Sequence, residues 1–249
     1  MLTEQRYSAI VELVNERGSI TINELKEELD ISESTARRDI TALAKQGKLE
    51  KVFGGAIALQ NYVSSTIEPS VAQKLDLNSE EKRLIAKFAA KLITPEDFIY
   101  IDAGTSTLSL IDFIPASHNK LIVTNGIAHA QLLAAKGKRV ILLGGEVKDT
   151  TESVIGVQAL INLQQFHFTK GFFGTNGINR LAGFTTPDEE EALIKQSAMK
   201  QCRSRFVLSD SSKFDVVSAV SFCSFSGAEV ITEKIPESYL NIPTICAAE

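Results

Sequence analysis

The chain has 249 residues, a formal net charge of −5 and a hydrophobic content of 44%. This length suits one large domain or a small domain joined to a larger one, and the hydrophobic content is that of a folded protein. The longest apolar runs, such as residues 140–143, are only strand-length, and the N-terminus lacks the apolar segment of a signal peptide. We therefore exclude a transmembrane helix and expect a cytoplasmic protein.

The cysteine and histidine residues give no sign of a metal site. Cys202, Cys223 and Cys246 are odd in number and widely spaced, which is typical neither of a disulfide framework nor of a zinc site. The three histidines are equally scattered along the chain. We predict neither a bound metal nor a cofactor.

The N-terminal segment shows the spacing and caps of three consecutive helices. Apolar residues at helical spacing predict a first helix over residues 3–17. Thr21 and Glu24 form a capping box that begins a short second helix, which ends near Leu29. Ser32 then caps a third helix that runs to about Gln46.

A β-hairpin is predicted directly after the third helix. Residues 49–53 have a strand pattern, Gly54-Gly55 is a tight-turn signal, and residues 56–59 can form the second strand of the hairpin. Three helices followed by a hairpin is the order of a winged helix-turn-helix, so residues 1–57 are predicted to bind DNA. Residues 58–80, which are rich in small and polar side chains, are predicted to be a linker.

The third helix presents one apolar and one polar face. Ala36, Ile40 and Leu43 share the face that must pack on the small domain. The opposite face carries small hydroxyl and basic side chains that suit a major groove, because arginine pairs with guanine and hydroxyls accept either partner. Its predicted DNA-binding residues are Ser34, Arg38, Thr41 and Lys45.

From residue 81 to the end, short apolar strands alternate with helical stretches. The strands are predicted over residues 98–101, 121–123, 140–143, 171–173, 205–208 and 230–231, with helices over residues 127–135 and 189–201 among them. This alternation is typical of a mostly parallel sheet covered by helices. The predicted fold class is therefore α/β, with residues 81–249 as the second domain.

Several of these strands end in turns rich in glycine and hydroxyl groups, and such turns present amides to an anion. Because ligands bind at the carboxyl ends of parallel strands, the turns are expected to converge on one site. Charged side chains nearby would complete a site for a sugar phosphate. The candidates are Asp102, Gly104, Thr105, Ser106, Thr107, Asn125, Gly144, Gly145, Glu152, Asn176, Lys195, Asp210 and Lys213.

Residues 31–40, which include Thr35-Ala36-Arg37-Arg38-Asp39-Ile40, together with the wing Phe53-Gly54-Gly55-Ala56, resemble the DeoR family of bacterial repressors. Ala36 departs from the family, which usually has a larger aliphatic residue there. The resemblance implies that Thr35, Arg37 and Arg38 contact DNA, that Asp39 positions an arginine and that Lys51 meets the DNA backbone.

The resemblance continues through the second domain, at residues 81–83, 102–107, 124–125, 143–145, 185–187 and 210–214. It implies a domain that resembles ribose-5-phosphate isomerase and senses phosphorylated sugars, with the turn over residues 102–107 holding the phosphate. The stretch over residues 151–156 is similar to members that regulate ketose or lactose phosphotransferase operons. Fructose 1-phosphate or another ketohexose phosphate is therefore the expected effector.

Taken together, these features predict a repressor of a sugar-metabolism operon that binds double-stranded operator DNA as a homo-oligomer, a dimer or tetramer. Two other classes of protein fit the sequence less well. A sugar-phosphate isomerase needs a carboxylate to move a proton, whereas the loop over residues 174–179 carries amides and glycine. A scaffold without ligand or DNA leaves the paired arginines and the wing unexplained.

Overall fold

The structure is a computed structural model that describes residues 3–58, 70–118, 120–240 and 245–246. Residue 59, at the end of the predicted wing strand, lies outside the described residues, as do residues 60–69 of the predicted linker. Within the described ranges, no helix is both long and apolar enough to span a membrane.

The N-terminal domain contains the predicted helices and hairpin, and also a short strand that the sequence did not predict. Its elements are α1 (Thr3–Arg17), β1 (Ser19–Thr21), α2 (Ile22–Leu29), α3 (Glu33–Lys45), β2 (Glu50–Val52) and β3 (Gly55–Ile57). Strands β2 and β3 pair antiparallel, and β1 joins the other side of β3.

Both predicted helix caps form hydrogen bonds. The Glu24 amide donates to the Thr21 hydroxyl at 3.1 Å, and the Thr21 amide donates to the Glu24 carboxylate at 2.8 Å. The Thr35 amide donates to the Ser32 hydroxyl at 3.2 Å. These bonds satisfy amides that the first turn of a helix leaves without acceptors, so they determine where α2 and α3 begin.

Apolar side chains from the three helices and the wing pack into one small core. Residues Ile10, Val14, Leu25, Ile40, Leu43 and Leu49 are almost entirely buried in it. A buried ion pair crosses this domain, with Arg6 Nε 2.5 Å from Asp39 Oδ2. Asp39 therefore holds Arg6 of α1, whereas its neighbour Arg38 lies on the surface.

The C-terminal domain is built on a seven-stranded parallel sheet, counted over the described residues. The strands are β4 (Ile99–Ile101), β5 (Ile122–Thr124), β6 (Val140–Leu142), β9 (Phe168–Gly174), β12 (Cys202–Leu208), β14 (Glu229–Thr232) and β15 (Ile245–Cys246). Their order in the sheet is β15-β14-β12-β9-β4-β5-β6. Every pairing in this sheet is parallel. The predicted α/β fold class is confirmed.

Helices cover both faces of the sheet because successive strand residues point to opposite sides. The helices are α4 (Val71–Leu75), α5 (Ser79–Lys91), α6 (Thr105–Leu110), α7 (Ile127–Ala135), α8 (Val157–Leu163) and α9 (Glu189–Lys200). Ile99 and Ile101 pack with α5, α6 and α7, whereas Tyr100 between them packs with α8 and α9 on the other face.

Two antiparallel additions were not predicted. A hairpin of β7 (Glu146–Lys148) and β8 (Ser153–Ile155) follows the edge strand β6. A separate sheet contains β10 (Gly177–Asn179), β11 (Gly183–Thr186) and β13 (Val220–Cys223). Strands β7, β10 and β11 mix glycine, polar or charged residues with apolar ones, so they lack the continuous apolar run that marks the strands of the parallel sheet.

Candidate ligand cavity and DNA-binding surface

A cavity of about 240 Å³ opens at the carboxyl ends of four adjacent strands, β12, β9, β4 and β5. The turns after these strands supply one wall, and α4, α5 and α9 supply the others. Its polar and charged lining residues are Lys74, Asn78, Lys82, Asp102, Thr105, Ser106, Asn125, Thr151, Ser153, Thr175, Asn176, Glu191, Lys195, Ser209, Asp210, Ser212 and Lys213.

The turn after β4 brings backbone and hydroxyl groups to this cavity. Gly104 has a φ of 150°, a backbone conformation that side chains strongly disfavour. Thr105 begins α6, whose first amides have no acceptors within the helix. The side-chain oxygen of Asn125 accepts from the Ala103 amide at 2.8 Å and from the Tyr100 hydroxyl at 3.0 Å, so Asn125 braces the turn.

A buried ion pair forms the floor of the cavity. Lys195 Nζ donates to the Asp102 carboxylate and to the Gly174 carbonyl, the latter at 3.2 Å. Asp102 also accepts from the Gly174 amide at 3.1 Å. Burial raises the pKa of Asp102, and the Lys195 ammonium opposes that shift. The charge of Lys195 is therefore largely matched by Asp102.

Three further lysines, Lys74, Lys82 and Lys213, line the same cavity. Burial lowers the pKa of Lys74 to about 8 and also lowers the pKa of Lys82. Lys213 lies close enough to both ammonium groups to lower their pKa values further. Asp210, which accepts from Asn78 at 2.9 Å, is the carboxylate that most strongly opposes the lowering of the Lys82 pKa. This side of the cavity is suited to an anion.

The predicted effector residues fall into two groups. The structure brings Asp102, Gly104, Thr105, Ser106, Asn125, Asn176, Lys195, Asp210 and Lys213 together around the cavity. It does not bring Thr107, Gly144, Gly145 or Glu152 to the lining. That the first group binds an effector stays a prediction.

Each of the four outlying residues has a structural reason to be elsewhere. Thr107 is fully buried, and its hydroxyl donates to the Asp102 carbonyl at 2.6 Å. Gly144 and Gly145 are exposed and follow β6, the edge strand, which is not among the four strands that reach the cavity. Glu152 is exposed in a turn with a φ of 50°, and its neighbours Thr151 and Ser153 line the cavity instead.

Sequence reasoning missed three charged residues of the cavity. Lys74 lies in the predicted linker. Lys82 lies within a helix and not in one of the turns after a strand from which the site was predicted. Glu191 accepts from the Thr151 hydroxyl at 2.6 Å and lies 3.2 Å from Lys148 Nζ. No spacing in the sequence signals these positions, because each depends on how a helix packs against the sheet.

The predicted DNA-reading face of α3 lies on the surface. The side chain of Arg38 is 74% exposed, and Ser34 and Lys45 are exposed as well. Arg37 Nη2 lies 2.7 Å from Glu33 Oε1, which holds the guanidinium along the helix. Ala36 is fully buried on the opposite face. The face that carries Arg38 is therefore open to a DNA groove.

The wing contacts the same face of α3. Lys51 Nζ donates to the Thr41 hydroxyl at 2.9 Å, and that hydroxyl donates to the Arg37 carbonyl at 2.7 Å. Thr35 is half-buried beside the helix cap. Phe53, at the turn of the wing, is completely exposed.

Two family profiles match the chain, one for each domain. The profile described as "DeoR-like helix-turn-helix domain" matches residues 6–61. The profile described as "DeoR C terminal sensor domain" matches residues 77–234. The fold and both matches define a transcription regulator in which a DNA-binding domain is joined to a ligand-sensing domain.

Curated relatives agree with this class along nearly the whole chain. The chain is 41% identical to the "Uncharacterized HTH-type transcriptional regulator FruR" of Bacillus subtilis, over 95% of this chain and 93% of that protein. It is 38% identical to the "Lactose phosphotransferase system repressor" of Staphylococcus epidermidis, over 88% and 86% of the two chains. A solved ribose 5-phosphate isomerase A from Neisseria gonorrhoeae aligns with a TM-score of 0.42 and 17% identity, over 56% of this chain and 55% of that one.

The chain belongs to the DeoR family of transcriptional regulators. It is a regulator rather than an enzyme, and the isomerase alternative is set aside.

Proposed function

We propose that the protein represses a sugar-metabolism operon in the cytoplasm and that a phosphorylated sugar bound in the cavity controls its hold on operator DNA. The single observation that carries this proposal is the cavity itself. It combines the amides and hydroxyls after β4 with Lys74, Lys82 and Lys213, a set of donors that suits a phosphate. Asn176, Asp210 and Glu191 offer acceptors for sugar hydroxyls.

The proposed effector is fructose 1-phosphate or another ketohexose phosphate. Support comes from the names of two relatives, a regulator called FruR and a repressor of the lactose phosphotransferase system. The proposed DNA contacts are Ser34, Thr35, Arg37, Arg38, Thr41, Lys45 and Lys51. The proposed division places DNA binding in residues 1–57, a linker in residues 58–80 and sensing in residues 81–249.

Two copies or more are proposed to act together, because one reading helix contacts too few base pairs for operator affinity. Effector binding is proposed to release DNA through a coupling free energy of about 1–3 kcal/mol.

A thermal-shift screen with a panel of sugar phosphates tests the effector, since a ligand that binds only the folded state raises the melting temperature. We expect ketohexose phosphates to give the largest shift, with unphosphorylated fructose and ribose 5-phosphate as controls. A mobility shift with the DNA upstream of the chain's own operon tests the proposed binding to operator DNA. If no phosphorylated sugar stabilises the protein, the effector proposal is wrong.

A further inference from the structure

The hairpin of β10 and β11 connects the cavity to the DNA-binding domain. Its base lies at the cavity, because Thr175 and Asn176, which precede β10, are lining residues. Its turn lies at the DNA-binding domain, because Arg180 Nη1 is 3.4 Å from Glu24 Oε1 of α2. Asn176 and Arg180 are only four residues apart in the sequence. The hairpin is therefore a short and direct connection between the two domains.

The turn of this hairpin, residues 180–182, also contacts the wing, and we call it the docking turn. Gly55 of β3 lies so close to Leu181 that an added β-carbon would be 2.9 Å from the leucine side chain. The side-chain oxygen of Asn179, a buried residue, accepts from the Leu181 and Ala182 amides at 2.9 Å and 3.1 Å. These bonds fix the shape of the docking turn, which holds both α2 and the wing.

A second segment leads from the cavity to the docking turn. Lys213 lines the cavity, and the next residue, Phe214, pairs with β10 in a parallel bridge. Asp215 then accepts from the Tyr239 hydroxyl at 2.7 Å. The Tyr239 ring in turn has its centre 5.6 Å from Arg180 Cζ. The two segments that leave the cavity therefore meet at Arg180.

The contact made by the docking turn is limited in extent and leaves the predicted DNA-reading face open. The side chains of Arg180 and Glu24 are 28% and 36% exposed, and a partly exposed ion pair contributes little stability. A groove of about 540 Å³ lies between the wing and the sensor domain beside Leu181. The contact can therefore be made and broken at small cost. Because Arg38 is 74% exposed in this docked arrangement, docking is compatible with DNA binding.

Building on the proposed function, we propose that the docking turn holds the DNA-binding domain in the orientation that binds operator DNA. A sugar phosphate bound at Asn176 and Lys213 shifts the turn and loosens this contact. The orientation of each reading helix must match the spacing of two half-sites, so a small rotation lowers operator affinity. Binding of the sugar phosphate and binding of DNA are then thermodynamically linked.

Hydrogen exchange on the full chain tests the docking itself, without any sugar phosphate. Arg180→Gln and Leu181→Ala each remove one contact with the DNA-binding domain. We expect the amides of residues 52–57 to exchange about three-fold faster, or more, in both variants, because local opening becomes easier. Arg139→Gln, which changes an exposed arginine of the sensor domain, is the matched control and should exchange as the wild type does. Unchanged exchange in both docking-turn variants would overturn the inference.

Glu24→Gln separates the docking contact from the helix cap. Glutamine can still accept from the Thr21 amide in a capping box, but it loses the charge that pairs with Arg180. The release ratio is the operator affinity without fructose 1-phosphate divided by the affinity at saturation, measured by fluorescence anisotropy with the chain's own upstream DNA. We expect Glu24→Gln and Arg180→Gln each to bind this DNA more weakly without the sugar and to lower the release ratio about three-fold.

The double variant Glu24→Gln/Arg180→Gln completes the cycle. Because both substitutions remove the same ion pair, the double variant should lower the release ratio no further than either single variant. Glu27→Gln, which changes an exposed residue on the same helix, is the control for Glu24→Gln. Release ratios equal to that of the wild type in both single variants would overturn the inference while the proposed function stands.

Calorimetry with fructose 1-phosphate separates this inference from a direct role in the cavity. Neither Arg180 nor Leu181 lines the cavity. Arg180→Gln and Leu181→Ala should bind the sugar as tightly as the wild type or more tightly, because binding no longer has to break the docking contact. Weaker binding by both variants would overturn the inference. If the wild type binds no phosphorylated sugar, the proposed function fails and the inference fails with it.

Discussion

Glu24 and Arg180 join the two folded domains, with Arg180 Nη1 3.4 Å from Glu24 Oε1. The other carboxylate oxygen of Glu24 accepts from the Thr21 amide and completes the cap of α2. Arg180 directly follows β10, and its guanidinium packs 5.6 Å from the ring of Tyr239. One carboxylate thus serves both a helix cap of the DNA-binding domain and a contact with the sensor domain.

Replacing Glu24 should therefore cost more stability than replacing Arg180. We expect Glu24→Ala to lower the free energy of unfolding by about 0.3–1.5 kcal/mol through loss of the cap. Arg180→Ala should cost about 0–1 kcal/mol, because both partners are partly exposed. Urea unfolding followed by circular dichroism measures both, with exposed Glu27→Ala as the control on the same helix. An equal or larger effect of Arg180→Ala would show that the domain contact, and not the cap, dominates.

Arg38→Ala should weaken specific operator binding by about 1–3 kcal/mol and leave ligand binding unchanged. The reason is that Arg38 is exposed on the polar face of α3 and is not among the residues that line the cavity. Fluorescence anisotropy with operator and scrambled DNA measures the effect, and exposed Arg203→Ala serves as the matched control. An equal loss on both DNAs would assign Arg38 to phosphate contact rather than base reading.

Thr105→Glu should abolish the response to a phosphorylated sugar and preserve operator binding. Thr105 lines the cavity at the start of α6, so a carboxylate there would repel the phosphate. Thr105→Ser keeps the hydroxyl and is the control. A thermal-shift titration and a mobility shift report the two activities. Loss of operator binding in Thr105→Glu would contradict this division of roles.

Asp97 should make stability depend on pH in the acidic range. Burial alone would raise its pKa, but hydrogen bonds from Lys170, Thr94 and Thr169 outweigh that effect and lower the pKa to about 2, below its ordinary value of 3.8. A depressed pKa contributes stability above pH 3.8 that is lost as the pH falls towards 2. We expect Asp97→Asn to have a lower melting temperature at pH 7 and a narrowing gap to the wild type below about pH 4. A constant gap at every pH would refute this account.

Much of the fold was predictable from local patterns in the sequence. The capping residues Thr21 and Ser32 begin the helices that they predict, because a cap depends only on residues within one turn. The six predicted parallel strands are present, since buried strands require continuous apolar runs. Strands β10 and β11 escaped notice because their sequences, Gly-Ile-Asn and Gly-Phe-Thr-Thr, contain no continuous apolar run, and β13 pairs with β11 across more than 30 residues of sequence.

The site was predictable only where it follows a strand of the central sheet. The turn at residues 102–106 and Asn125 line the cavity because β4 lies beside β9 in the sheet and β5 lies beside β4. Gly144 and Gly145 carry the same turn signal, yet they follow the edge strand β6 and lie elsewhere. The order of the strands in the sheet decides which of these turns reach the cavity. That order cannot be deduced from the sequence of any one turn.

The sequence by itself determined the two domains, the caps, the exposed face of α3 and the family. Only the tertiary structure decided which strand ends meet, that Asp39 pairs with Arg6, and that Lys74 and Lys82 face the cavity. The physical reason is the sequence separation of the interacting residues, because helical periodicity and helix caps involve residues only a few positions apart. The partners of a buried charge are chosen by packing between elements that lie far apart in the chain.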